Sequence, residues 1–310
     1  MDWYAVRGYP QLKIYNSFPK EMVREVVAYA HSRGMRVSGH VPVFMRAQEV
    51  VEQGFDEVQH INQVLLNFLV TPTTDTRTLD RFYLPAKKVA ELDFDSKPVR
   101  DLIALLKRRG TVIDPTIATF DSLKTRDGVM SEAFSMIASH MPPDVQRRFR
   151  VATLDIPDDA TEALYKASYA KMVAFVGRLH RAGIPLVAGT DDLAGFTLQS
   201  ELELYVKARL TPAEALQIAT RNGARYTQTS GDRGRIAVGK RADLVLVDGD
   251  PTVRIADIRK VALVITQGKV ITPSTVYQAL GIKPFVDSPP QVQVIPALAP
   301  APAHSRTTRH

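Results

Sequence analysis

The sequence predicts an α/β protein built on parallel strands and followed by a small β-rich unit. Three observations predict it. Up to Asp192, short apolar runs alternate with amphipathic helical runs, the pattern of βαβ units and a parallel sheet. Each of five such strands ends in a polar residue at its C-terminal tip, where barrel and doubly wound folds place their chemistry. From Gly234 the pattern changes to β-rich runs separated by glycine turns.

The elements follow in order. QLKIY (Gln11 to Tyr15) alternates like a strand, and NSFPKEMVREVVAYAHSRG reads as a helix. Ser17 and Pro19 mark its start, Met22, Val23, Val26, Val27 and Ala30 its buried face, and Gly34 its end. MRVSGH is a second strand, MRAQEVVEQG a helix closed by Gly54, and FDEVQH a third strand. Thr71 to Ser96 reads as irregular and polar. SKPVRDLIALLKRRG is a helix, TVIDPTI (Thr111 to Ile117) a strand, and Ala118 to Asp159 a long insertion with MPPD and IPDD breakers. DATEALYKASYAKMVAFVGRLHRAG is a long helix ending at Gly183, and IPLVAGTDD a strand ending in acids. SELELYVKARL and TPAEALQIATRNGARY are helices, the second with Thr211 as N-cap and Pro212 in its first turn. GRIAVGKRADLVLVDGDP and KVALVITQGKVI are β-rich. The proline-rich end, from Thr272, reads as a disordered tail whose terminal histidines are inert. Domain limits are therefore 1–230, 231–272 and 273–310.

Bulk properties exclude several classes. The 310 residues are 45% hydrophobic and 24% charged, ordinary for a globular protein, with a formal charge of +7. Basic residues are interleaved with acids rather than massed beside stacking aromatics, so no nucleic-acid partner is expected. Zero cysteines exclude disulfides and thiolate catalysis. No apolar run approaches the roughly 18 residues that span a bilayer, so no membrane partner is expected. MDWYAVRGYPQLKIY lacks the apolar stretch of a signal peptide, and the compartment stays open. No glycine-rich phosphate loop follows a strand, which argues against a doubly wound nucleotide binder.

Lys13, His40, His60 and Asp191 stand at four strand tips. Imidazole and carboxylate are usual ligands of zinc and similar divalent ions, and different strands of a barrel converge at its mouth. Taken singly, each has an ordinary structural reading: a hydrogen-bonded histidine, a capping aspartate, a solvated lysine. Arg77, Arg81 and Tyr83 read as solvated residues of the first insertion, with contact to a substrate carboxylate as the alternative.

Lys13 in LKIY, His40 in VSGHVP, His60 in EVQHIN and Asp191 in VAGTDD together resemble the metal ligands of the amidohydrolase superfamily. The run from SELELYVKARL through GKRADLVLVDGDP is similar to the C-terminal part of its imidazolonepropionase-like and prolidase-like members. The resemblance covers nearly all of Gln11 to Val270. It implies a partial TIM-like (β/α)8 barrel, strands four to eight, with a C-terminal partial β-sandwich. It implies hydrolysis of an amide or cyclic-amide C–N bond in a small-molecule substrate (peptide, N-acyl amino acid or imidazolone-like). Water would be activated by divalent metal, zinc by preference, up to two ions in the complete enzyme and about one here. His40 and His60 would hold one ion, a buried, carbamylated Lys13 would bridge, and Asp191 would bind the other ion and shuttle the proton.

Two departures stand out. The family's first strand ends in His-x-His, and no His-x-His occurs in this sequence. The resemblance therefore implies the C-terminal portion of a longer amidohydrolase, with open strand edges, an exposed apolar interior, and self-association. The rival expectation is a catalytically impaired, truncated homologue. Arg209 in VKARL stands where the family turns on glycine.

Overall fold

The structure is a computed structural model that describes residues 1–287. Four short parallel strands, β1 (Gln11–Ile14), β2 (Arg36–Gly39), β3 (Glu57–Gln59) and β4 (Val112–Asp114), follow one another in space as in sequence. β1 pairs with β2 and β3 with β4. Between the pairs the Asp56 amide donates to the Val37 carbonyl, and the Asp56 carboxylate accepts from the Val37 amide. The fifth expected strand is reduced to one parallel bridge, Leu186 against Ile113. Its acidic end bends away at Asp191, whose φ of 49° no strand tolerates.

The helices are α1 (Asp2–Val6), α2 (Val23–Ser32), α3 (Ala47–Glu52), α4 (Ile61–Leu66), α5 (Asp80–Lys88), α6 (Lys97–Arg109), α7 (Glu132–Ser135), α8 (Pro143–Arg148), α9 (Asp159–Arg181), α10 (Thr197–Lys207), α11 (Pro212–Gln217), α12 (Gly223–Tyr226) and α13 (Pro273–Ala279). The expected boundaries of α2, α3, α6 and α9 hold because each has a period of 3.6 and a clear stop. Gly110 closes α6 in the left-handed conformation, and Asp158 caps α9 by accepting from the Thr161 amide at 2.7 Å. The apolar faces of α2 (Val23, Val26, Val27, Ala30), α3 (Val50, Val51) and α6 (Val99, Leu102, Leu106) pack with Val37, Val58 and Ile113 into one core. α9 closes that core through Phe175, Val176 and Leu179, and lies so near residue 208 that a Cβ on Gly177 would meet the Ala208 carbonyl at 2.0 Å.

The opposite face of the strands differs from expectation. It carries a polar network instead of an apolar interior. The Gln11 amide donates to Ser38 Oγ at 2.5 Å, Arg36 to Gln11 Oε1 at 2.8 Å, and Gln59 to Glu57 Oε1 at 3.0 Å. Arg36 also pairs with Glu57 at 3.4 Å. Alternation along the strands puts Val37 and Val58 in the core and these polar groups on the other side.

Three further expectations are corrected. Thr71 to Ser96 is not irregular, because α5 lies within it and packs on α9, burying Ala86. Pro85 and the charged residues disguise that helix in the sequence, and tertiary packing decides it. The helix expected over 211–226 is interrupted by a π-turn at Ile218–Asn222. The tail expected to be disordered from 273 begins with α13, and Phe285 stacks on His140 with ring centroids 3.8 Å apart. Phe285 also packs against a second small core of Met130, Phe134, Ile137, Met141 and Phe196. Residues 288–310, including the terminal histidines, lie outside the described residues.

β5 (Leu244–Val247), β6 (Val261–Thr266) and β7 (Lys269–Ile271) form one antiparallel sheet in that order. Ala262 and Leu263 are buried, whereas Val245 and Leu246 are half exposed.

Candidate active site

The tips of β2 and β3 bring two histidines together. His40 follows Gly39, and its amide donates to the Ile14 carbonyl at 2.9 Å. A Cβ on Gly39 would strike that same carbonyl, so only glycine lets β2 approach β1 closely enough. His60 ends β3 with φ of 69°, held there by its amide bond to the Asp114 carbonyl at 2.7 Å. Both rings are buried, and their Nε2 atoms face each other at 2.9 Å. Tyr15 covers the His40 ring at 4.2 Å between centroids.

Thr116 supports His60 from behind, with Oγ1 2.7 Å from Nδ1. Thr116 itself has φ of 44° and ψ of 40°, a strained position for a β-branched residue. It is held because the next two amides, of Ile117 and Ala118, donate to the fully buried Glu201 carboxylate at 3.0 and 2.8 Å. Asp191 stands across the cavity with Oδ2 3.8 Å from His60 Nε2. The Thr119 hydroxyl fixes its turn by donating to the Thr190 and Asp191 carbonyls. His60 and Asp191, both non-glycine residues with positive φ, thus line one cavity of about 70 Å³ with Tyr15, Arg81 and Phe120, and Thr116, also at positive φ, stands behind His60.

Electrostatics keep the imidazoles neutral. Burial first, then the charges of His60 and Lys13, lower His40 to about 3. Burial, with Lys13 and Arg81, lowers His60 to about 4. Burial, with the Glu57 charge, raises Asp114 to about 7 against the opposing hydrogen bond from the Gly189 amide. Burial raises Glu201 to about 8 despite its two amide donors.

The four expected ligands do not behave alike. His40, His60 and Asp191 converge. Lys13 shares their face, since it pairs with Ser38 two residues before His40, and its charge reaches both rings. It is nevertheless exposed on the outer strand, so the expected burial of its amine is not found. Two neutral Nε2 atoms at 2.9 Å fit two nitrogen donors of one divalent ion, since zinc ligands at about 2.0–2.1 Å lie only slightly farther apart. His60 has the oriented second nitrogen usual for such ligands, while His40 Nδ1 is buried without a partner. Among the described residues no three His, Cys, Asp or Glu side chains lie close enough to hold a metal ion. The residues fit part of a donor set.

Thr116, Asp114 and Glu201 escaped sequence reasoning. The only signal was acidic: Asp114 ends a strand, and Glu201 sits among the apolar positions of α10. Of the insertion residues, Arg77 pairs with Asp75 at 2.6 Å and Tyr83 accepts from the Asp155 amide, whereas Arg81 faces the histidines.

The profile of the Amidohydrolase family matches residues 15–271, most of the chain. The chain belongs to the amidohydrolase family. It is 43% identical over 76 residues to the imidazolonepropionase of Ruegeria sp. (strain TM1040), a stretch that covers 23% of this chain and 18% of that protein. Among solved structures it is similar to a putative prolidase from Bifidobacterium longum (TM-score 0.53, 21% identity, 87% of this chain and 58% of that one). It is also similar to a bottromycin amidohydrolase (TM-score 0.59, 17% identity, 91% and 62%). The likeness shows a TIM-barrel-like α/β fold. This amidohydrolase chain spans a little over half the length of the solved structures it matches.

Proposed function

We propose that this amidohydrolase chain carries the metal-binding half of a C–N hydrolase site, acting on an amide or cyclic amide. The observation that carries the reading is the buried pair of neutral imidazoles, Nε2 to Nε2 at 2.9 Å, with a carboxylate at 3.8 Å. The parallel strands correspond on this reading to strands four to eight of the family's barrel, and the antiparallel sheet to one layer of its sandwich. His40 and His60 would hold a divalent ion, zinc by preference, with Lys13 as the third donor if it carries a carboxylate. That ion supplies acidity to water and polarisation to the scissile carbonyl. Asp191 accepts the proton of the attacking water and passes it to the leaving nitrogen. Its side chain is 57% exposed, and on this reading Arg81, which lines the same cavity, would meet a substrate carboxylate such as that of an N-acyl amino acid or dipeptide.

A second reading, a catalytically impaired homologue, is favoured by the exposed Lys13 and the incomplete donor set. One experiment separates them. The purified chain is analysed for bound metal and assayed on dipeptides and N-acyl amino acids, with and without added zinc. About one equivalent of metal, lost in His40→Ala and His60→Ala, is the expected result. Turnover lost in the same variants supports the hydrolase, and bound metal without turnover supports the impaired homologue. Metal content indifferent to both substitutions would sink the site assignment.

A further inference from the structure

A second site lies at the other end of the parallel strands. Arg36 opens β2 and donates to the Tyr226 carbonyl, whereas His40 follows the end of that strand. Beyond Tyr226, Arg221, Arg225, Arg233 and Arg235 line one cavity of about 350 Å³, together with Ser230 and Gly234. Arg221, Arg225 and Arg235 are exposed and Arg233 half-buried, so the hollow gathers positive charge that an anion between them would balance.

The carboxylates on hand do not supply enough charge. Asp232 pairs with Arg233 at 3.0 Å and is shared with Arg241 at 2.5 Å. Asp243 acts on Arg233 only at longer range. Lys240 turns back to the Ser230 and Gly231 carbonyls, 2.7 Å each. Among the described residues Arg221, Arg225 and Arg235 have no carboxylate partner.

The hollow is held in shape by the backbone. Gly234 has φ of 89°, and a Cβ there would lie 2.5 Å from the Ala224 Cβ, so the loop reaches α12 only through glycine. The Thr229 amide donates to the Ala224 carbonyl at 2.8 Å, and the Arg241 amide to the Asp232 carbonyl at 2.7 Å. Arg221 is presented by the π-turn at Ile218–Asn222, a rare feature that concentrates at functional sites. Asn222, in the same turn, donates to the Leu186 carbonyl at 3.1 Å and ties the turn to the parallel strands.

We infer that this arginine cavity binds a diphosphate group, free or on a small molecule. Guanidinium forks match phosphate oxygens two at a time. One phosphate monoester, carrying about −1.5 to −2 at neutral pH, leaves part of three unmatched charges unbalanced, and two linked phosphates balance them. A cavity of this volume admits a diphosphate and excludes a nucleic-acid duplex. The site is independent of the histidine pair.

The test titrates the full chain with inorganic pyrophosphate, inorganic phosphate and ADP by calorimetry in dilute buffer. Saturable binding of pyrophosphate at one per chain is expected, tighter than phosphate. ADP at least as tight as pyrophosphate identifies a small-molecule diphosphate as the ligand; weaker ADP identifies the free ion. Arg221→Gln and Arg235→Gln should each weaken binding tenfold or more, while Arg24→Gln, on the exposed side of α2, should leave it unchanged. No saturable binding, or equal weakening by all three substitutions, overturns the proposal.

Discussion

Asp114 and Glu201 on one side, and His40 and His60 on the other, set opposing pH dependences. The two carboxyls have folded values raised from 3.8 to about 7 and from 4.5 to about 8. Their contribution is present below the unfolded values and is lost as pH rises through the folded ones. The two histidines are lowered from 6.5 to about 3 and about 4. Their contribution is present above 6.5 and is lost as pH falls through the folded values. The sets offset one another between about pH 4.5 and 6.5, and stability of the metal-free chain declines on either side. Asp114→Asn keeps an oxygen for the Gly189 amide and removes one titrating group. Urea midpoints measured against pH should show roughly half of the decline between pH 6.5 and 8 abolished in that variant. An unchanged profile would show that Asp114 is ionised in the fold. Glu201→Leu strands the Ile117 and Ala118 amides, at about 1–3 kcal/mol each. A loss of roughly 2–5 kcal/mol in urea unfolding is expected; a loss below 1 kcal/mol would mean that water reaches those amides.

At the scale of elements, two helix ends make opposite predictions. Thr211 starts α11 with a capping box: its Oγ1 accepts from the Glu214 amide at 3.2 Å, and its amide donates to Glu214 Oε2 at 2.8 Å. Thr211→Ala should cost about 1 kcal/mol, seen as a melting temperature lower by about 2 °C. Arg209 follows α10 with φ of 75°, the left-handed position that glycine fills without strain. Arg209→Gly should therefore stabilise by about 1 kcal/mol. Calorimetry of the two variants checks both signs, and a destabilised Arg209→Gly would mean that the arginine side chain contributes more than its backbone costs.

For the whole molecule, the described strands form an arc whose outer strand, β1, has no partner on its free edge among the described residues. The polar network of Gln11, Arg36, Ser38, Glu57 and Gln59 makes the arc's inner face tolerant of water. Association is therefore expected through one face of the antiparallel sheet, where the register places Leu246 and Val270 on the same side, 53% and 47% exposed. Sedimentation velocity should show concentration-dependent oligomers that Leu246→Glu reduces. A monomer at all concentrations, or oligomers indifferent to that substitution, would refute the assignment of this face. No helix among the described residues is long and apolar enough to cross a membrane.

Much of the fold was legible because local signals were strong. Val23, Val26, Val27 and Ala30 spell the buried face of α2, Gly110 and Gly183 end their helices, and each strand tip carries its polar residue. The same period-two and period-3.6 patterns located His40 and His60 at strand ends, and nearness of successive strands brought them together, whereas Asp191 reaches them from a turn beyond the single bridge at Leu186. What the sequence hid depended on contacts between distant residues. α5 becomes a helix by packing on α9, Glu201 reaches amides 84 and 83 positions away, and Thr116 takes a strained conformation that no local rule selects. Lys13 and Arg81 show the same division. Their residue types were plain in the sequence, but which one is exposed and which one faces the imidazoles was decided by how the strands and the insertion close around the site. Periodicity and caps act within a few residues and are written in the chain; burial and long-range hydrogen bonds exist only once the chain has folded.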